Sequence, residues 1–402
     1  MIHTLTNGMR IAHVKRDSSV AWCGVAIGAG SRDEAEGQYG LAHFVEHTIF
    51  KGTTHRRSWH ILNRMESVGG ELNAYTTKEE TMLYTIFPSR HLERAVELLA
   101  DLIENSTFPF DEITREKDVV LEEVASYRDT PAEAIYDDFE DMILSGSQLG
   151  HNVLGVKDHL ARLGQSDCLS HIQNLYTPSN MVLFYVGKDS IDRVVRLAEK
   201  HFLRSARPLL RPDRVTPSTV TPQCKTEMLG CHQAHTIVGA RIPDMHDNRR
   251  HVFALLNNIL GGPGMNSILN VQLRERRGYA YNVESSAVMF SDCGLMEIYF
   301  GCDHRDVEHS LKIINRITTC LAENPLTKSR IDAYKRQYCG QLLVAADSAE
   351  FIAFNQGKSV LHHGTESNLN AMMERIMDVT PQQLMDAAAL ITPPNCSILT
   401  YI

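Results

Sequence analysis

The sequence predicts an α+β protein of two structurally similar halves, each an antiparallel sheet covered by helices on one face. Two observations carry that prediction. The first is the alternation of short apolar runs of strand length with stretches whose apolar residues recur at helical spacing, as in Leu92, Val96, Leu99, Leu102 and Ile103. The second is an internal repeat. Thr177-Pro178-Ser179-Asn180-Met181-Val182-Leu183-Phe184 returns as Thr392-Pro393-Pro394-Asn395-Cys396-Ser397-Ile398-Leu399, an offset of 215 (392 minus 177). At the same offset, Leu92, Val96, Leu99 and Leu102 meet Val307, Leu311, Ile314 and Ile317. Two features far apart in the chain share one register, which chance explains poorly.

The join between the halves falls in the Pro/Arg-rich stretch from Ser205 to Pro217, which has no periodicity. The expected division is therefore 1–205, a linker 206–222, and 223–402. At 402 residues, 43% apolar and 22% charged, the chain exceeds one ordinary domain and can bury two cores. A net charge of -9 argues against a nucleic-acid partner and leaves room for basic peptides, although an acidic balance also serves solubility alone. The nine cysteines are odd in number and lack a Cys-x-x-Cys pair, which reads as reduced thiols. The first residues show no basic-then-apolar leader, and there is no run of about 18 apolar residues. The expectation is a cytoplasmic protein without a membrane partner.

Met9 to Val14 reads as a strand after the Asn7-Gly8 turn, and Val20 to Gly28 as its neighbour. A loop from Gly28 to Glu34 then leads to a helix through His43-Phe44-Val45-Glu46-His47. On a helix His43, Glu46 and His47 share one face, while Phe44 and Val45 point elsewhere. Two imidazoles one turn apart suit Zn²⁺, and a carboxylate beside them can take a proton from a metal-activated water. The order His-x-x-Glu-His reverses the commoner His-Glu-x-x-His. Taken alone, the five residues also fit a buried helix carrying three polar side chains.

His55 and His60 have no partner at ligand spacing and read as surface residues. Trp59 to Val68 is an amphipathic helix stopped by Gly69-Gly70. The strand Glu71 to Thr76 should pair, through Lys78-Glu79-Glu80, with Thr81 to Phe87. Its polar Asn73 and Thr76 would keep the outer edge open to an extended peptide; an ordinary edge strand looks the same. Further on, Glu116 and Glu123 are seven apart, so two helical turns put both on one side, near Val119 and Val120. Glu123 there could complete a metal site and Glu116 could bond a ligating histidine, although an acidic run on a helix also fits a solvated face. Carried over by the repeat, His43 to His47 land on Asn258-Ile259-Leu260-Gly261-Gly262, so the second half has lost every ligand. The glycines that follow form neither Gly-x-Gly-x-x-Gly nor a P-loop, and read as a flexible structural loop.

The helix from His43 to His47, with Glu123 76 positions after His47 (123 minus 47) and Glu116 seven before that, resembles the inverzincin metallopeptidase family of pitrilysin, insulin-degrading enzyme and mitochondrial processing peptidase. The similarity runs through Gly69-Gly70-Glu71-Leu72-Asn73-Ala74-Tyr75-Thr76 to the C-terminus, and the length is that of the short bacterial type. The resemblance implies a zinc endopeptidase that cuts peptides or unfolded segments in an enclosed chamber. Zinc would sit on His43, His47, Glu123 and a water, with Glu46 as base and Glu116 supporting the site. Asn73, Ala74, Tyr75 and Thr76 would pair with substrate. Arg274 and Tyr281 in the second half would hold the substrate backbone and the tetrahedral intermediate. In the family's long single-chain members zinc lies in the first half of the molecule and the arginine and tyrosine in the second. A chain of this length with both sets is expected to form a homodimer, the zinc of one subunit facing Arg274 and Tyr281 of the other. The alternative the resemblance also allows is a non-catalytic core or scaffold subunit of a processing-peptidase-like assembly, expected to lack the metal ligands.

Overall fold

The computed structural model describes residues 1–218 and 221–402; positions 219 and 220 of the expected linker 206–222 lie outside the described residues. In chain order the first half carries β1 (Ile2–Thr4), β2 (Arg10–Lys15), β3 (Val20–Ile27), α1 (Leu41–Thr48), α2 (Ser58–Glu66), β4 (Glu71–Thr76), β5 (Thr81–Pro88), α3 (Leu92–Asn105), α4 (Phe110–Arg128), α5 (Pro131–Ile143), α6 (Lys157–Leu160), α7 (Gln165–Leu175), β6 (Met181–Gly187) and α8 (Ile191–His201). The second carries β7 (Cys224–Glu227), β8 (Ala234–Ile242), α9 (Arg250–Gly261), β9 (Ala280–Met289), β10 (Gly294–Cys302), α10 (Val307–Glu323), α11 (Lys328–Ala345), α12 (Ala349–His363), α13 (Leu369–Met377), α14 (Pro381–Ala389) and β11 (Ser397–Tyr401).

The chain forms two compact units. One comprises Met1–Ala125, His151–Val215 and Ala345–Ser367. Its six-stranded sheet has the order β1-β2-β6-β3-β5-β4, antiparallel except for the parallel pair β2–β6. Met181, Leu183 and Tyr185 of β6 join Ile11, Cys23, Val25 and Leu83 in a core with Phe44 and Val45 of α1, Leu99 of α3, Ile172 of α7 and Ala198 of α8. The intervening residues Val182, Phe184 and Val186 face the other way, into a second core with Ala12, Ala26 and Met82 that Ala353 and Val360 of α12 close. Gly357 lets α12 approach, since a Cβ there would lie 2.9 Å from Phe184 Cδ1. The linker residues up to Val215 run with this unit, where Arg214 bonds both Asp33 oxygens at 2.9 Å.

The second unit comprises Ser126–Gly150, Thr216–Val344 and Asn368–Ile402. Its sheet has the order β7-β11-β8-β10-β9, with β7–β11 parallel. Val238, Met296 and Ile298 pack with Phe253 and Leu256 of α9, Ile314 of α10 and Leu384 of α14. On the opposite face Ile237, Leu295 and Tyr299 meet Ile135, Phe139 and Ile143 of α5. A Cβ on Gly239 would come within 2.8 Å of Phe139 Cε1, so the glycine admits the ring.

The halves are alike, as the repeat requires: β3 matches β8, α3 matches α10, α4 matches α11 and β6 matches β11. Each sheet, however, is mixed rather than wholly antiparallel, and is covered on both faces rather than one. The physical reason is visible in β6 and β10, buried at every position, which is the mark of strands covered on both sides. The long connection from β2 to β6 also permits their parallel pairing. The second cover of each sheet comes from the opposite half of the sequence: α12 closes the first sheet and α5, its counterpart in the repeat, closes the second. Sequence halves are thus units of repetition, and the packing units differ from them by one helix exchanged in each direction. Among the described residues no helix is long and apolar enough to cross a membrane.

Candidate metal centre

Helix α1 is fixed before its histidines are placed. Gly40 takes a left-handed φ of 97° at its start, and a Cβ there would lie 2.9 Å from Gly155 Cα. The buried Glu34 carboxylate accepts the Gly40 and Ala42 amides at 2.9 and 2.7 Å, satisfying donors that a helix start leaves open. His151 Nε2 lies 2.9 Å from the same carboxylate, and its ring stacks on Tyr39 with centroids 4.1 Å apart. Phe44 and Val45 are fully buried in the core. With those two committed inward, His43, Glu46 and His47 occupy the remaining face.

Glu123 of α4 meets that face. Its Oε2 is 3.4 Å from His47 Nε2 and 3.8 Å from His43 Nε2. The three ligand atoms all lie within 4.8 Å of one another, and theirs is the one grouping of that kind found among the described residues. Donors held by one tetrahedral zinc at about 2.1 Å stand about 3.4 Å apart, so the 3.4 and 3.8 Å spacings from Glu123 suit donors to a single ion. The donor types fit as well, two imidazoles and a carboxylate. Burial, with His47 next to it, pushes His43 down to about 4, so the ring is neutral and its lone pair is available at neutral pH.

Glu116 stands one side removed, where its Oε1 accepts His47 Nδ1–H at 3.0 Å. A carboxylate only accepts, so the proton sits on Nδ1 and Nε2 is left free toward Glu123. Lys51 Nζ lies 2.6 Å from the other Glu116 oxygen. Burial raises the Glu46 carboxyl above the ordinary carboxylate range, and Thr76 and His47 counter the rise in part. A base held up in this way takes protons more readily than a surface glutamate.

Of the expected substrate strand, Asn73, Ala74, Tyr75 and Thr76 lie on β4, the outermost strand of its sheet, so the backbone edge is open. Their side chains divide between the faces. Ala74 packs on the core beneath α1. Asn73 Oδ1 accepts the Ala74 amide at 2.8 Å, and Tyr75 turns to α12, with Lys358 Nζ 5.4 Å from its ring centroid and Phe354 5.7 Å away. Arg274 and Tyr281 belong to the other unit. Arg274 is exposed at the end of a short π-helical turn, and its carbonyl accepts the Gly278 amide at 3.0 Å. Tyr281, 53% exposed at the start of β9, donates to Asp303 at 3.2 Å. Sequence reasoning brought out neither Glu34 nor Lys51. The one signal was a glycine before the first helical residue, which calls for an outside acceptor.

Fold and donor set together define a two-unit α+β protein with a His-His-Glu centre between two helices of its first half. The family model described as insulinase (peptidase family M16) matches residues 10–157, and that of the M16 inactive domain matches 163–338. An uncharacterised zinc protease of Bacillus subtilis is 31% identical over 408 residues, covering 97% of this chain and 98% of its own. One of Streptomyces coelicolor is 32% identical over 406 residues, covering 98% and 88%. The mitochondrial-processing peptidase subunit beta of Lentinula edodes is 31% identical over 380 residues, covering 90% and 81%. In fold, the chain is similar to a protease from Helicobacter pylori, with a TM-score of 0.91, 20% identity and coverage of 100% and 99%. It is also similar to a peptidase M16 inactive domain from Pseudomonas fluorescens, with 0.92, 18%, 100% and 97%. The chain belongs to peptidase family M16.

Proposed function

We propose that the chain is a zinc metalloendopeptidase that cleaves peptides or unfolded segments within an enclosed chamber in the cytoplasm. The observation that carries the reading is the spacing of His43, His47 and Glu123 with the buried Glu46 on the same helix face. Zinc, when bound, supplies Lewis acidity and lowers the pKa of water to about 7. The chain's own residues do the rest. His43, His47 and Glu123 hold the ion, and Glu116 keeps His47 in the tautomer that can ligate. Glu46 takes the proton of the attacking water and hands it to the leaving amine. The free edge of β4 receives the substrate as an added strand, and Arg274 and Tyr281 act as donors to the developing oxyanion.

In this reading 1–205 is the metal-bearing domain and 223–402 a homologous domain without ligands. The resemblance supports a homodimer in which each zinc faces the partner's arginine and tyrosine. Retention of all three ligands and the base weighs against the scaffold alternative. The test is cleavage of an extended-peptide library mapped by mass spectrometry, beside a stable globular protein. Peptides should be cut and the folded protein spared, and Glu46→Gln should keep its zinc while turnover falls roughly 10²–10⁴-fold. Near-normal hydrolysis by that variant would end the mechanism.

A further inference from the structure

Lys51 lies beyond Glu116 from the metal ligands. Its Nζ is 2.6 Å from Glu116 Oε2, while Glu116 Oε1 takes the His47 Nδ1–H at 3.0 Å. The three side chains are 25%, 12% and 22% exposed, so the row from ammonium to carboxylate to imidazole is largely shielded from water.

The loop that presents Lys51 is anchored on both sides. Its own amide donates to Thr48 O at 3.0 Å, at the end of α1. The next residue, Gly52, accepts the Thr107 amide at 3.0 Å and lies against Pro109, whose Cγ would be 3.0 Å from a Cβ at that position. Thr53 then donates to the buried Asp101 at 2.9 Å, and Asp101 also takes His55 and Arg56 at 2.6 Å each. Against the effect of burial, those bonds hold Asp101 below the usual carboxylate range. A lysine on a free loop would lose most of a contact's value to side-chain and backbone entropy. Here the backbone is already fixed, so the ion pair has only the side chain to order.

We infer that Lys51 is a positioning residue of the metal centre. Its ammonium pins Glu116 Oε2, which turns Oε1 to His47 Nδ1 and keeps His47 Nε2 aimed at the position a divalent cation would take. Glu116 alone has one neutral donor and can rotate toward solvent; with Lys51 in place both oxygens are engaged. Outer partners of this kind fix the orientation of a ligating histidine, and their loss typically weakens metal binding by about 10–100-fold. The inference rests on the zinc reading of the site.

The test is a double-mutant cycle of Lys51→Met and Glu116→Gln on the full chain. It reads the zinc dissociation constant by competition with a chromogenic chelator and the melting temperature of the metal-free protein. K51M should weaken zinc binding roughly 10–100-fold. Metal-free melting should fall by no more than about 4 °C, because a partly exposed ion pair contributes little to stability. The double variant should be no weaker than E116Q alone, since Lys51 acts only through Glu116. Lys51→Arg should recover most of the affinity, a guanidinium being able to meet Oε2. Additive losses in the cycle, or wild-type affinity in K51M beside a weakened E116Q, would overturn the role. So would a collapse of metal-free melting in both K51M and K51R, which would assign Lys51 to the fold. A wild-type chain that binds no zinc would instead defeat the peptidase reading and this inference with it, a result distinct from the others.

Discussion

His47 Nε2 and Glu123 Oε2 stand 3.4 Å apart, although 76 positions separate the two residues (123 minus 47). The gap is longer than a charge-assisted hydrogen bond of about 2.7–2.9 Å and matches the spacing of two donors on one ion. Purified protein should therefore hold about one zinc per chain. Glu123→Gln should weaken binding by more than the roughly 10–100-fold expected for loss of an outer partner, since an amide is a poor zinc ligand. Undiminished zinc in that variant, measured by atomic absorption after dialysis, would remove Glu123 from the site.

Two buried histidines make the metal-free protein acid-sensitive. Burial pushes both His43 and His171 down from 6.5 to about 4. Between those values the unfolded chain binds the protons and the folded chain does not. The stability each group contributes is then present above pH 6.5 and is lost as pH falls toward about 4, up to roughly 3 kcal/mol per group. Urea midpoints of the metal-free protein should fall across that window, and His43→Gln should flatten part of the slope. A midpoint independent of pH over this range would contradict the burial argument.

The exchange of α5 and α12 predicts that neither sequence half is self-sufficient. Residues 1–205 lack α12, leaving Val182, Phe184 and Val186 uncovered, at roughly 1.5–3 kcal/mol for each side chain returned to water. Expressed alone, 1–205 should aggregate or bind a hydrophobic dye, and co-expression with 206–402 should restore a soluble complex. A monomeric 1–205 with a cooperative melt near that of the whole chain would refute the point.

The composite site proposed above predicts complementation. Glu46→Gln and Arg274→Ala should each be weak as homodimers. After mixing and subunit exchange, half of the sites in a mixed dimer would combine an intact Glu46 with an intact Arg274. Activity should rise well above the sum of the separate proteins. A mixture shown to have exchanged, yet still inactive, would mean that Arg274 does not serve the partner's zinc.

Residue order alone carries the donor types of the candidate centre and the repetition of the chain. His43, Glu46 and His47 share a face because of helical periodicity, and Glu116 and Glu123 do so for the same reason; both are local properties that need no tertiary knowledge. The offset of 215 likewise lies in the order of residues alone. Contacts between residues far apart in sequence come from the fold alone. Glu34 reaches across 117 positions to His151 at the start of α1, and Lys51 across 65 (116 minus 51) to Glu116. Neither pairing leaves a periodic trace. The helix exchange belongs with them: the apolar run in β6 says that both faces of the strand are buried, but which helix covers the second face depends on where the chain goes after α11, and Phe184 meeting Gly357 settles it by shape.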